Sequence, residues 1–141
     1  MLNSIRFSLR RREMLTVPLA LGIVLAACGG TAETDGPDSG GGTIAVVDGL
    51  AEISADDLEF DATTITAPAG QPFTIAFTNM EGVPHNVSVY VEEGGELIAG
   101  GDIINEGETD EVEIEGLSAG EYFFVCDLHA GEMTGTIVVE G

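Results

Sequence analysis

The sequence has no lysine, and its only basic residues lie within the first twelve positions: Arg6, Arg10, Arg11 and Arg12. All 25 acidic residues follow these arginines, 24 of them after Glu13, and the formal net charge is −21. Binding to nucleic acid or to an anionic lipid surface requires Lys or Arg to neutralise phosphate groups. The chain beyond Arg12 is therefore not expected to bind nucleic acid or an anionic lipid surface. No salt bridge that uses Lys or Arg can form within it.

Cysteine and histidine are also scarce, with two of each in 141 residues. Any metal-binding or nucleophilic chemistry must therefore use a very short set of side chains. The apolar fraction is 44%, which is enough for a hydrophobic core and argues against a disordered chain. This length fits one domain with short extensions.

The N-terminal arginines are followed by an apolar run at residues 14–27. A helix of that length spans only about 21 Å, less than the roughly 30 Å hydrocarbon core of a bilayer. A basic segment followed by a short apolar one is typical of an export signal, which we place at residues 1–27. The pair Arg11-Arg12 resembles a twin-arginine export motif, although a plain basic segment explains it equally well.

The signal ends in Leu25-Ala26-Ala27-Cys28, which resembles the lipobox of bacterial lipoproteins. The resemblance implies that Cys28 is acylated and anchors the mature protein to the outer face of a membrane. The alternative is ordinary cleavage near Ala27, which leaves Cys28 as a free thiol. Residues 28–43 are rich in Gly, Asp and Ser and are predicted to form a flexible tether, with the folded domain at residues 44–141.

The domain is predicted to be all-β because apolar and polar residues alternate along several short segments. Phe73, Ile75 and Phe77 illustrate the pattern. Short strands separated by Gly-containing turns favour a Greek-key β-sandwich. The pattern is unclear at residues 92–107, where we expect at most one turn of helix. Tyr122 lies in a segment that resembles a tyrosine corner; the alternative is a half-buried strand residue.

Both histidines of the chain, and its one cysteine outside the lipobox, lie in two short motifs. The first motif is Pro84-His85-Asn86, and the second runs from Cys126 through His129 to Met133. A thiolate, two imidazoles and a thioether are soft ligands that favour copper, whereas calcium and magnesium prefer oxygen ligands. Cys126 ends a predicted strand and the loop after it can return His129 to the same centre, while His85 would come from a neighbouring strand end.

Across roughly residues 50–141, these motifs resemble the type I (blue) copper proteins of the plastocyanin, pseudoazurin and halocyanin group of cupredoxins. The resemblance implies one copper ion with His85, Cys126 and His129 as equatorial ligands and Met133 as the axial ligand. It places Pro84 and Asn86 beside the ligands, and Asn86 would tie the two ligand loops together. Three residues separate His129 from Met133, one fewer than in plastocyanin-like proteins and one more than in amicyanin-like ones, so Met133 is the least secure ligand.

A metal with four protein ligands has no open position for a substrate, which argues against an enzyme. We therefore expect a monomeric, membrane-tethered one-electron carrier that meets redox partners such as a cytochrome or an oxidase transiently. Two alternatives remain: a copper storage or delivery protein with the same ligands, and a metal-free β-sandwich interaction domain. In the latter, Cys126 would be a buried structural thiol or a disulfide partner of Cys28.

Overall fold

The structure is a computed structural model that describes residues 41–141. The predicted export signal, Cys28 and the tether up to residue 40 lie outside the described residues. The described part of the chain contains ten strands: β1 (Gly42–Ala45), β2 (Leu50–Asp56), β3 (Glu59–Phe60), β4 (Ala62–Pro68), β5 (Phe73–Asn79), β6 (Ser88–Tyr90), β7 (Leu97–Gly100), β8 (Thr109–Ile114), β9 (Gly120–Val125) and β10 (Thr134–Glu140). The first strand thus begins just before the predicted domain boundary at residue 44.

The strands form two sheets, with the order β1-β4-β10-β9-β6-β7 in one and β3-β2-β5-β8 in the other. Strands β1 and β10 both pair with β4 in parallel, and β2 pairs with β5 in parallel. The remaining pairs are antiparallel. The prediction of an all-β Greek-key sandwich is therefore confirmed.

The alternation seen in the sequence corresponds to the two faces of each strand. Along β5, Phe73, Ile75 and Phe77 are buried, and the residues between them are only half-buried. Phe60, on the two-residue strand β3, contacts Phe77 of its own sheet and Phe124 of the other sheet, with ring centroids 5.9 and 5.3 Å apart. These aromatic contacts join the two sheets across the core.

Tyr122 forms the predicted tyrosine corner, since its hydroxyl donates a hydrogen bond to the carbonyl of Ser118 at 3.0 Å. Residues 92–107, where the sequence allowed at most one turn of helix, contain none. That segment contains β7 and a tight turn in which the N–H of Gly95 donates to the carbonyl of Glu92. Gly94 adopts a φ of 72° there, a conformation that ends any helix and suits a hairpin connection.

Within residues 41–141 the structure has no helix that is long and apolar enough to cross a membrane. This part of the chain is built from strands and their connections.

Gly135 of β10 is a point where the core leaves no space for a side chain. A Cβ atom at this position would overlap the Phe124 ring and would lie 2.8 Å from the carbonyl oxygen of Thr63. By contrast, a Cβ atom at Gly131 would have no neighbour within 4 Å. The absence of a side chain at Gly135 therefore lets the aromatic ring of β9 pack directly on β10.

We expect Gly135→Ala to lower the free energy of unfolding by about 1–3 kcal/mol, because the added methyl group overpacks the core. Urea denaturation of the metal-free protein measures this effect. The matched substitution Gly131→Ala should change the stability by less than about 0.5 kcal/mol. Equal stability of the two variants would contradict the packing argument.

Candidate metal centre

Three ligand-type side chains converge at one end of the sandwich: His85, Cys126 and His129. The Cys126 sulfur lies 3.6 Å from Nδ1 of His85 and 3.6 Å from Nδ1 of His129, and the two nitrogens are 3.2 Å apart. An ion at the centre of such a triangle would lie about 2 Å from each corner, close to a metal–imidazole bond length. The arrangement therefore fits a metal ion bound by one sulfur and two nitrogens.

The loop between β9 and β10 contributes Cys126, His129 and Met133, and it is closed by its own backbone hydrogen bonds. The N–H of Cys126 donates to the carbonyl of Met133 at 3.0 Å, and the N–H of Met133 donates to the carbonyl of His129 at 2.9 Å. The N–H of His129 donates in turn to the carbonyl of Cys126 at 3.0 Å. These bonds fold the loop back on itself, so that Cys126 and His129 face one centre.

His85 reaches the same centre from the other motif, through an isolated bridge to Ile104. The two residues exchange backbone hydrogen bonds of 3.1 and 2.8 Å. Buried Asn79 secures this bridge, because its Nδ2 donates to the carbonyls of Val83 and Ile104 at 2.8 and 3.1 Å. The imidazole of His85 is thus positioned by backbone and amide contacts that need no metal.

The side chains at the site differ in their exposure. His85, Cys126 and Met133 are fully buried, whereas His129 is half-buried. Met133 immediately precedes β10, and the ligand role of its thioether remains a prediction. Several apolar residues of these loops are exposed to solvent: Val83, Pro84, Leu128 and Ala130.

Asn86 links the two ligand motifs. Its Oδ1 accepts a hydrogen bond from the backbone N–H of Asp127 at 2.9 Å, and its Nδ2 donates to the Asp127 carboxylate at 2.8 Å. Ser88 and Tyr90 donate to the same carboxylate at 2.5 and 2.8 Å. Asp127, the residue after Cys126, therefore links the ligand loop to Asn86 and to strand β6.

Sequence reasoning missed Asp127, Ser88 and Tyr90. The two-residue spacing of Ser88 and Tyr90 places both side chains on one face of β6, which was a usable signal. Burial raises the pKa of Asp127, but the hydrogen bonds from Ser88, Asn86 and Tyr90 outweigh it and hold the pKa below its usual range. The hydrogen bond to Asp127, together with burial and the negative charge of the carboxylate, raises the pKa of Tyr90.

Sequence reasoning also missed Glu81. Its carboxylate oxygen Oε1 lies 2.9 Å from Nε2 of His85, on the side of the imidazole opposite to the centre. Among 25 acidic residues, no sequence pattern singles out this one.

Comparison with known proteins places this geometry in a family. A family model described as a cupredoxin-like domain matches residues 19–139. Auracyanin-A of Chloroflexus aurantiacus is 31% identical over 92% of this chain and 96% of its own length. The chloroplastic plastocyanin of Chlamydomonas reinhardtii is 35% identical over 66% of this chain and 68% of its own length. The chain therefore belongs to the cupredoxin-like family.

A solved structure supports the same assignment. The structure of auracyanin A, described as a "blue" copper protein from the green thermophilic photosynthetic bacterium Chloroflexus aurantiacus, has a TM-score of 0.59 and 29% sequence identity. The match covers 64% of this chain and 98% of auracyanin A. The resemblance to cupredoxins found in the sequence is thus confirmed.

We expect the phenol of Tyr90 to titrate above the ordinary tyrosine value of about 10. A group whose pKa is raised by folding adds stability below its unfolded pKa and loses it as the pH rises through the folded value. The hydrogen bond from Tyr90 to Asp127 should therefore stabilise the protein at neutral pH. This stabilisation should be lost only in strong alkali. Since the chain has two tyrosines, phenolate absorbance of the metal-free Tyr122→Phe variant reports on Tyr90 alone.

Adding Asp127→Asn to that variant should bring the midpoint back towards the ordinary value. The matched change Asp110→Asn should leave it in place, because Asp110 accepts from the N–H of Asp102 and not from Tyr90. If Asp127→Asn does not lower the titration midpoint of Tyr90, the carboxylate is not the cause of the raised pKa.

Proposed function

We propose that the domain binds one copper ion through Nδ1 of His85, the sulfur of Cys126 and Nδ1 of His129, with Met133 as an axial ligand. The observation that carries the proposal is the convergence of a buried thiol and two imidazole nitrogens on one centre. Two histidines, one cysteine and a weak axial methionine are the ligand set of blue-copper electron-transfer sites. The bound metal would supply a Cu(II)/Cu(I) couple, and the protein would act as a one-electron carrier.

The surroundings of the ligands favour electron transfer over catalysis. Four protein ligands leave no position for a substrate, in contrast to catalytic metal sites. The ligand loops are held by backbone hydrogen bonds and by the Asn86–Asp127 contacts. These contacts do not depend on the oxidation state of the metal, so they would resist a change of geometry when an electron arrives or leaves.

His129 is the proposed point of electron exchange with partners. It is half-buried, whereas His85 and Cys126 are fully buried. Val83 and Leu128, on the loops that carry the ligands, are 40% and 48% exposed. Since electron-transfer encounters are small and short-lived, an exposed apolar surface suits a transient redox partner.

Membrane tethering is the second part of the proposal. The Leu25–Cys28 lipobox and the residues that follow it support a protein that is exported, acylated at Cys28 and held outside the cell by a flexible tether. Acyl chains would keep the carrier near membrane-bound redox partners and leave its domain free to reorient.

We expect the purified protein, with Cys28 retained, to take up one Cu(II) ion and to develop an intense red-region charge-transfer absorption. This absorption comes from the thiolate, so Cys126→Ser should abolish it. Optical titration with Cu(II) measures both the stoichiometry and the colour. Cys28→Ser, which alters the other cysteine of the chain, is the matched control and should leave the colour unchanged. A colourless wild-type protein with bound copper would contradict a blue-copper site.

Voltammetry then distinguishes the carrier from the delivery alternative. A carrier should give a reversible one-electron wave, and it should hold Cu(I) against a competing chelator. Ready loss of Cu(I) to the chelator would instead favour copper delivery.

The same pair of variants tests the anchor in a bacterial host that processes lipoproteins. The wild-type protein and Cys126→Ser should be recovered in the membrane fraction and in the detergent phase. Cys28→Ser should lose its acylation and appear in the aqueous phase. Membrane recovery of Cys28→Ser equal to that of the wild type would refute lipid anchoring, whatever the copper titration shows.

A further inference from the structure

The carboxylate of Glu81 lies between the outer edge of His85 and the hairpin that joins β2 to β3. Its Oε1 is 2.9 Å from Nε2 of His85 and also accepts a hydrogen bond from the backbone N–H of Leu58 at 2.8 Å. The side chain of Glu81 is 16% exposed, and that of His85 is fully buried. The contact is thus a largely enclosed one, where charge acts more strongly than at an open surface.

The backbone around Glu81 is held in place by Asn79. The N–H of Glu81 donates to Oδ1 of Asn79 at 3.0 Å, and Nδ2 of Asn79 donates to the carbonyl of Val83 at 2.8 Å. The same amide donates to the carbonyl of Ile104, the residue that pairs with His85. One buried side chain therefore positions both the carboxylate and the imidazole that it contacts.

The hairpin that supplies the second donor is strained. Asp57 and Leu58 form a two-residue loop between β2 and β3, and their φ angles are 55° and 62°. A two-residue loop with positive φ at both positions normally contains Asn or Asp followed by Gly, so Leu58 is the disfavoured residue in this one. Strain of this kind is commonly kept where it serves a site, and here it directs the Leu58 N–H at Glu81.

The chemistry of the imidazole follows from this contact. A carboxylate accepts hydrogen bonds, so Nε2 of His85 carries the proton and Nδ1 presents a lone pair towards Cys126 and His129. A carboxylate on the far nitrogen also strengthens a histidine as a metal ligand. No Lys or Arg occurs in residues 41–141 to neutralise that negative charge.

We infer that Glu81 is a positioning residue that fixes the tautomer of His85 and lowers the reduction potential of the bound metal. Its negative charge stabilises Cu(II) more than Cu(I), because the oxidised ion carries the larger positive charge. The effect on potential rests on the proposed copper site, whereas the effect on the tautomer does not.

The experiment compares Glu81→Gln with Glu106→Gln. The glutamine at position 81 keeps an oxygen for both hydrogen bonds and removes only the charge, so the fold is retained. Glu106 is the matched control: its carboxylate lies near the same turn, 3.9 Å from where a Cβ atom at Gly82 would be, and the structure gives it no contact with His85. Each variant is titrated with Cu(II) and with Cu(I), and its potential is measured by voltammetry.

Glu81→Gln should weaken Cu(II) binding by about tenfold or more, the usual effect of altering a partner of a metal-binding histidine. Cu(I) binding should change much less. A tenfold selective loss corresponds to an upward shift of about 59 mV for a one-electron couple, and Glu106→Gln should shift the potential by far less. Equal shifts in the two variants would overturn the assigned effect on potential.

The second readout is the nitrogen NMR spectrum of metal-free protein. The wild type and Glu81→Gln should both show His85 protonated at Nε2, whereas Glu81→Ala should show a mixture of tautomers. Protonation at Nδ1 in the wild type would overturn the assigned tautomer. This spectrum needs no copper, so it tests the role of Glu81 even if the protein does not bind copper. A blue protein whose reduction potential does not shift in Glu81→Gln would refute only the role of Glu81.

Discussion

The site depends above all on the register of β9 against β10. Thr134 pairs with Val125, so the chain leaves one strand and enters the other at the same level of the sheet. The hydrogen bond from Cys126 to Met133 extends that ladder by one step. A shift of one residue would turn each side chain of β10 to the opposite face, which would expose Ile137 and Val139 and misplace the loop that carries three of the four proposed ligands.

Polar contacts around the ligands complete this arrangement. Asn79 fastens the His85 segment to Ile104, and Asn86 fastens it to Asp127. Both asparagines are buried, and the described residues contain no buried side-chain nitrogen or oxygen without a hydrogen-bond partner. The site is therefore preorganised by hydrogen bonds, and a metal would enter a geometry that the chain already provides.

Much of this could be predicted from the sequence, because the relevant signals are local. Alternation along β5 identifies its buried face, and the short spacing from Cys126 to Met133 identifies one loop. Glu81 could not be found in this way, because its contact with Leu58 joins residues 23 positions apart. The contacts of Asp127 with Ser88 and Tyr90 of β6 span about forty residues and are created by the pairing of β6 with β9. In each case the tertiary fold brings together side chains that no local pattern connects.

The conformation of residues 92–107, which the sequence left open, has a different cause. The segment at residues 92–107 has no clear periodicity. Its structure is determined by the glycine pairs Gly94-Gly95 and Gly100-Gly101 and by the pairing of β7 with β6. The packing role of Gly135 is another feature that no local pattern predicted. Its importance comes from the Phe124 ring that fills the space above it.

The place of β4 next to the edge of the six-stranded sheet has a consequence for biogenesis. Strand β4 lies between β1 and β10, and it pairs in parallel with both. During synthesis β1 and β4 emerge early, but β4 has one open edge until residues 134–140 are made. The loop at residues 126–133 is likewise complete only when β10 joins the sheet. Assembly of this sheet and maturation of the metal centre are therefore coupled late events, which must follow translation of the last strand.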